Sequence, residues 1–143
     1  MKTAAHILAE KGSEVWAVRP TDTVYAALEL MAEKGTGAVL VMDGGTLVGI
    51  LSERDYARKV ILLDRSSRET PVADIMTARV SVVPPDRSTE ECMALMTDQH
   101  IRHLPVVDGD RVVGVISVGD VVKAAISERE FMIEQLERYI SGG

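Results

Sequence analysis

Two seven-residue stretches of this 143-residue chain have the residue types of a binding site: Gly49-Ile50-Leu51-Ser52-Glu53-Arg54-Asp55 and Gly114-Val115-Ile116-Ser117-Val118-Gly119-Asp120. Both read Gly-φ-φ-Ser-x-x-Asp, with φ aliphatic, and both stand where a short apolar run gives way to a helical pattern. Ser-x-x-Asp at a helix start is a capping box, satisfying backbone donors that the helix leaves unpaired. The same helix end offers N–H groups and partial positive charge to a phosphate. A serine hydroxyl can join those amides, and an aspartate carboxylate can accept hydrogen bonds from both hydroxyls of a ribose. Taken alone the pattern favours capping, and the two roles can coexist.

The motif occurs twice because the chain repeats. A shift of 65 residues lays Val15–Ile61 on Val80–Ile126 without a gap. Identical pairs include Val15/Val80, Val18/Val83, Pro20/Pro85, Leu30/Leu95, Met31/Met96, Val41/Val106, Asp43/Asp108, Val48/Val113, Gly49/Gly114, Ser52/Ser117 and Asp55/Asp120. Most other pairs keep apolar character.

Each copy predicts the same elements. Val15–Val18 and Val80–Val83 are short β-rich segments stopped by Pro20 and by Pro84-Pro85. An amphipathic helix follows, with Val24, Leu28 and Met31 in copy one and Cys92, Met93 and Met96 in copy two on its apolar face. Thr23 and Ser88 are its N-caps, Ser88 with Glu91 as a capping box, and Gly35 closes the first helix in a left-handed conformation. Ala38–Met42 and Leu47–Leu51, and in copy two His103–Val107 and Val112–Ile116, flank Asp-Gly turns and read as hairpins. A second helix starts after Ser52 and after Ser117. Asp64–Pro71 is polar and reads as a linker. The last helix outlasts its counterpart, with Val122, Ile126, Met132, Ile133, Leu136 and Ile140 on one stripe from about Val121 to Ile140. Such a stripe must pack on something, and a partner subunit is expected.

Composition narrows the function. Hydrophobic residues make up 46% and charged residues 27%, an ordinary globular balance, while aromatics are only 3%. A net charge of −6, from 16 Lys+Arg against 22 Asp+Glu, argues against generic polyanion binding, so nucleic acid is not an expected partner. No apolar run is long enough to span a membrane and no signal peptide is read, which points to a cytoplasmic protein. The single Cys92 lies on a helix's apolar face and reads as a core thiol. His6, His100 and His103 lack ligand spacing on one element, so no metal is expected. Each copy is near the size at which a domain is marginal alone. The expected fold is therefore α/β (α+β), with two β-α-β-β-α repeats packed sheet to sheet about a pseudo-two-fold axis and an extended C-terminal helix. Residues 1–66 form repeat one, 67–127 repeat two, and 128–143 the helical extension and tail.

The doubled motif, with Arg102-His103-Leu104-Pro105-Val106-Val107-Asp108, Ser52-Glu53-Arg54-Asp55-Tyr56 and the opening Asp74-Ile75-Met76-Thr77 of copy two, resembles a tandem pair of cystathionine-β-synthase (CBS) domains, a Bateman module. The resemblance covers about residues 5 to 127. Copy one departs from it: Gly37-Ala38-Val39-Leu40 stands where copy two has Arg102-His103-Leu104-Pro105, and Ile7-Leu8-Ala9 replaces Ile75-Met76-Thr77. The resemblance implies regulation rather than catalysis, through AMP, ADP, ATP, NAD(H) or S-adenosylmethionine held in clefts between the repeats. It makes Asp55 and Asp120 ribose ligands, with Ser52 and Ser117 beside the ribose and phosphate. Arg54, Arg102 and His103 would face phosphate, and Val15, Val80 and Thr77 would border the purine. It implies no catalytic cofactor, and a homodimer acting on a protein effector.

Blander roles stand beside these. Arg54 and Arg58 can simply solvate a helix face, and His103 can be a half-buried strand residue. Trp16 could cover a purine or a dimer surface. No Gly-x-Ser-x-Gly, Gly-x-Gly-x-x-Gly or Gly-x4-Gly-Lys motif is present; Gly109–Gly114 has the last spacing, but Val115 stands where lysine is needed. The chain thus reads as a regulatory adenine-nucleotide sensor, not an enzyme, with a dimerising, ligand-independent interaction module as the alternative.

Overall fold

The computed structural model describes residues 2–141, so the first residue of repeat one and the last two of the tail lie outside the described residues. The chain has mixed α+β architecture with two small sheets, and divides into two compact units: one is Glu14–Ser81, and the other joins the N-terminal residues up to Ser13 with the chain from Val82 onward.

In the unit Glu14–Ser81, β1 (Ala17–Val18), α2 (Val24–Lys34), β2 (Ala38–Asp43), β3 (Thr46–Ser52) and α3 (Glu53–Tyr56) follow α1 (Ala4–Lys11), which belongs to the other unit. The sheet order is β1-β2-β3, with β1 parallel to β2 and β2 antiparallel to β3 around the Gly44-Gly45 turn. Val24, Ala27 and Met31 of α2 recur at helical spacing and bury against Val39, Val41 and Leu51 of the sheet and Val60, Val72 and Ile75. Leu28 packs at the margin of this core. After α3 the chain widens into a π-helical turn, Ala57–Ile61.

The caps of α2 form as its sequence predicts. Thr23 accepts from the Ala26 amide, and Gly35 ends the helix with φ 64. The segment Asp64–Pro71 is not a loose tether. Its Thr70 and Ser67 carbonyls accept from the Val24 and Tyr25 amides, so it closes the helix start that Thr23 caps only in part. Trp16 packs against this core, with the Lys34 ammonium 4.5 Å from its ring centre.

The other unit holds α1, α4 (Thr89–Gln99), β4 (His103–Asp108), β5 (Arg111–Ser117) and α5 (Val118–Ile140). Ala4, Ile7 and Leu8 of α1 bury with Cys92, Met96, Leu104, Val106, Ile116, Val121 and Ala124. Cys92 is a core thiol, and burial pushes its pKa up. The expected strand Val80–Val83 shrinks to one parallel bridge, Val83 with Val106, because Pro105 stands where copy one has Leu40, whose amide donates to the Trp16 carbonyl, and proline has no such donor. Ser88 caps the Glu91 amide, but Glu91 Oε1 accepts from the Ser88 hydroxyl, so the return half of the capping box is absent. α4 ends on His100 rather than glycine, in the left-handed region at φ 55.

The two units share one construction, in which the segment leading each motif strand comes from the other repeat's sequence. In one unit Ile75 is buried and Met76-Thr77 lie on β3; in the other, Ile7 and Leu8 of α1 lie on β5. A β-carbon on Gly49 would meet Met76 Sδ at 2.5 Å, and one on Gly114 would meet Leu8 Cδ2 at 2.5 Å. The glycine that opens each motif is therefore the place where a leading segment approaches the strand backbone.

Candidate functional site

Each motif is built at a strand-to-helix junction. Ser52 ends β3 opposite Ala38, and Ser117 ends β5 opposite His103. Both serines are extended N-caps: Ser52 Oγ accepts from the Asp55 amide and Ser117 Oγ from the Asp120 amide, each at 3.1 Å. The carboxylates close the box, Asp55 Oδ2 accepting from the Ser52 amide at 3.0 Å and Asp120 Oδ2 from the Ser117 amide at 2.8 Å. The Ser52 hydroxyl also donates to Asp55 Oδ2. Capping is thus present in both copies.

The first amide of each helix is engaged as well. Glu53 N–H donates to the Gly37 carbonyl and Val118 N–H to that of Arg102. Of the first three amides in each helix, those of Arg54 and Gly119 are what a ligand could take. The helix ends offer less to a phosphate than their sequence suggests. The carboxylates offer more, since each oxygen carries two lone pairs and the box uses few of them.

Each motif aspartate also holds a lysine. Asp55 Oδ1 lies 3.4 Å from Lys59 Nζ, one helical turn on, and Lys59 also donates to the Ile75 carbonyl. Asp120 Oδ2 lies 2.6 Å from Lys11 Nζ, which also donates to the Val115 carbonyl at 3.0 Å. Burial alone would raise the Asp120 pKa, but the Lys11 ammonium and the Ser117 amide and hydroxyl outweigh it and hold the carboxyl below its usual range.

The ten residues singled out from sequence divide between the two units. Ser52, Arg54, Asp55, Val15, Thr77 and Val80 lie in Glu14–Ser81; Ser117, Asp120, Arg102 and His103 lie in the other. In the first, Thr77 exchanges two backbone hydrogen bonds with Ile50, which places it beside the strand leading to Ser52. Val15 and Val80 are half-buried, and Arg54 is exposed at the helix start. In the second, Arg102 is exposed immediately before β4, and His103 is a half-buried strand residue across from Ser117.

Lys11 escaped the sequence reading because it stands 109 residues from Asp120. The available signal was the likeness of Ile7-Leu8 to Ile75-Met76, which marks α1 as a leading segment equivalent to the one beside Gly49. Lys59 stands four residues after Asp55, and their pairing is the ordinary i,i+4 geometry. Among the described residues, no cluster of His, Cys, Asp or Glu could hold a metal ion, and no helix is long and apolar enough to cross a membrane.

Comparison with known proteins agrees with this geometry. The family model described as CBS domain matches residues 4–62 and 72–127. The mitochondrial CBS domain-containing protein CBSX3 of Arabidopsis thaliana is 42% identical over 137 residues, which are 92% of this chain and 66% of that protein. This chain therefore spans just under two thirds of that relative. A solved CBS-domain protein of Burkholderia ambifaria MC40-6, described in terms of signal transduction, is 54% identical with a TM-score of 0.86, covering 88% of this chain and 95% of that one. The hexameric CBS-CP12 protein of bloom-forming cyanobacteria is 29% identical with a TM-score of 0.75, covering 85% of this chain and 70% of that one. No enzyme family is among these likenesses.

Proposed function

The chain belongs to the CBS-domain family, as a pair of CBS domains, and from that premise we propose that it is a regulatory sensor of adenine nucleotides, AMP, ADP, ATP or NAD(H). One observation carries the reading: a Ser-x-x-Asp box stands at a strand-to-helix junction in both repeats, with the carboxylate accepting from the serine amide. Asp55 and Asp120 are the acceptors for ribose hydroxyls, Ser52 and Ser117 lie beside sugar and phosphate, and Arg54, Arg102 and His103 supply positive charge. Thr77, Val15 and Val80 border the base. The purine ring brings apolar surface that a protein with so few aromatics meets with aliphatic side chains.

The protein acts by changing its conformational balance when nucleotide binds, with a homodimer and a protein effector reading the change. It carries no catalytic cofactor, performs no reaction on the nucleotide and works in the cytoplasm. Isothermal calorimetry with AMP, ATP, NADH and S-adenosylmethionine tests the reading. Heat with at least one of them, lost in the Asp55→Ala, Asp120→Ala double variant, supports it; no heat with any of them overturns it.

A second reading is a dimerising interaction module whose nucleotide sites are vestigial. The exposed apolar stripe of α5 and the lysine already seated on each aspartate favour it. It predicts a thermal unfolding temperature that no adenosyl compound moves.

A further inference from the structure

The start of α5 is held by its own unit, through buried Val121 and Ala124 and through Lys2, which donates to Ser127 and Glu128; beyond them this 23-residue helix continues with its apolar side chains in solvent. Those side chains are ordered in heptads. Val122, Ile126, Arg129, Ile133, Leu136 and Ile140 fall at spacings of four and three in strict alternation, one continuous seam along the helix. The five apolar members are 38%, 54%, 48%, 59% and 81% exposed, in that order. Isoleucine takes every a position (126, 133, 140), while Val122, Arg129 and Leu136 take the d positions. β-Branched a residues with leucine at d favour two parallel strands.

We propose that α5 pairs in parallel with α5 of a second copy of this chain, forming a two-stranded coiled coil from Val122 to Ile140. The seam spans about 27 Å at 1.5 Å per residue, and an identical helix presents the same seam in the same register. The β-branched a positions select the parallel orientation, and charge agrees with it. Lys123, Glu130 and Glu137 occupy the e positions of the seam; an antiparallel partner over the same residues would set Glu130 against Glu130 of the second copy, while Lys123 would meet Glu137. In the parallel arrangement each glutamate faces the apolar g positions of the partner, beside Met132. Arg129, the one polar residue in the seam, then lies next to Glu130 of the second copy. Neither residue forms an ion pair among the described residues of one chain. A lone polar residue in an apolar seam fixes register at a cost in stability. The proposal rests on the chain's self-association and is independent of whether it binds nucleotide.

Sedimentation equilibrium at tens of micromolar tests the pairing. The intact chain is expected to be a dimer, and the Ile133→Asp, Leu136→Asp double variant a monomer. Both substituted side chains face solvent in the single chain, so the variant should keep its thermal unfolding transition. A monomeric parent overturns self-association itself; a variant that remains dimeric leaves self-association standing and overturns the seam. Orientation is read from Ile140→Cys, where a-position thiols of parallel strands meet. Mild oxidation should convert most of that variant to a covalent dimer, and the parent, whose only thiol is the buried Cys92, should not cross-link. An intact dimer of Ile140→Cys that fails to cross-link overturns the parallel arrangement. Calorimetry with nucleotide on the monomeric variant separates failure of the seam from failure of ligand binding.

Discussion

Lys11 Nζ sits 2.6 Å from Asp120 Oδ2, which ties the first helix of the chain to the first turn of the last. The contact depresses the Asp120 pKa against the effect of burial, so the folded state binds the proton less readily than the unfolded chain. Its contribution to stability is complete above the unfolded carboxylate value, about 4, and is lost as pH falls through the lower folded value. We expect Lys11→Met to flatten this acid limb in urea unfolding followed below about pH 4. At neutral pH it should cost no more than about 1 kcal/mol, because both groups are partly exposed. An acid limb as steep as the parent's would show that Lys11 does not govern this carboxyl.

The same ammonium occupies the carboxylate that the proposed function gives to a ribose. If nucleotide takes hydrogen bonds from Asp120, it must share the carboxylate with Lys11 or displace it. In an Asp55→Ala background, Lys11→Met should tighten nucleotide binding by up to about fivefold, the equivalent of one exposed ion pair. Weaker binding by calorimetry would instead mean that the lysine turns to the ligand's phosphate.

Gly114→Ala should destabilise the unit that contains α1. The added methyl meets two Leu8 methyls at 2.5 and 2.7 Å, and Leu8 is buried with little room to retreat. Overpacking of this kind costs about 1–3 kcal/mol. Urea unfolding reads the loss, and pairing Gly114→Ala with Leu8→Ala should recover part of it. Additive effects would place the strain elsewhere.

His100→Gly should raise stability by about 0.5–1 kcal/mol, since His100 holds the left-handed cap that Gly35 holds in the other copy. Its exposed imidazole gives up no packing. A lower midpoint in chemical denaturation would count against a purely conformational role for this residue.

What could be read from sequence was local. The hairpins, the Thr23, Ser52 and Ser117 caps and the Gly35 terminus depend on residues a few positions apart, and all of them form. The Ser88–Glu91 pair shows the limit of such reasoning, since a carboxylate can choose the hydroxyl over the amide without altering the pattern. The π-helical turn after Tyr56 has no counterpart in α5, although both follow the same motif. The contacts that were not legible are the long ones. The likeness of Ile7-Leu8 to Ile75-Met76 hints that α1 is a leading segment, but it does not say that Lys11 reaches Asp120, and the pair could not be found without the placement on β5.

The borrowed leading segments also set an order of assembly during synthesis. Glu14–Ser81 is continuous and can close as soon as it has left the ribosome. The N-terminal helix, made first, has no core to join until β4, β5 and the start of α5 emerge, so Ile7 and Leu8 wait exposed for most of translation. Closing that unit brings together residues over 100 positions apart, a high-contact-order step that is slow and prone to aggregation. Deleting residues 2–13 should therefore impair the unit that closes on β4 and β5, and leave Glu14–Ser81 intact.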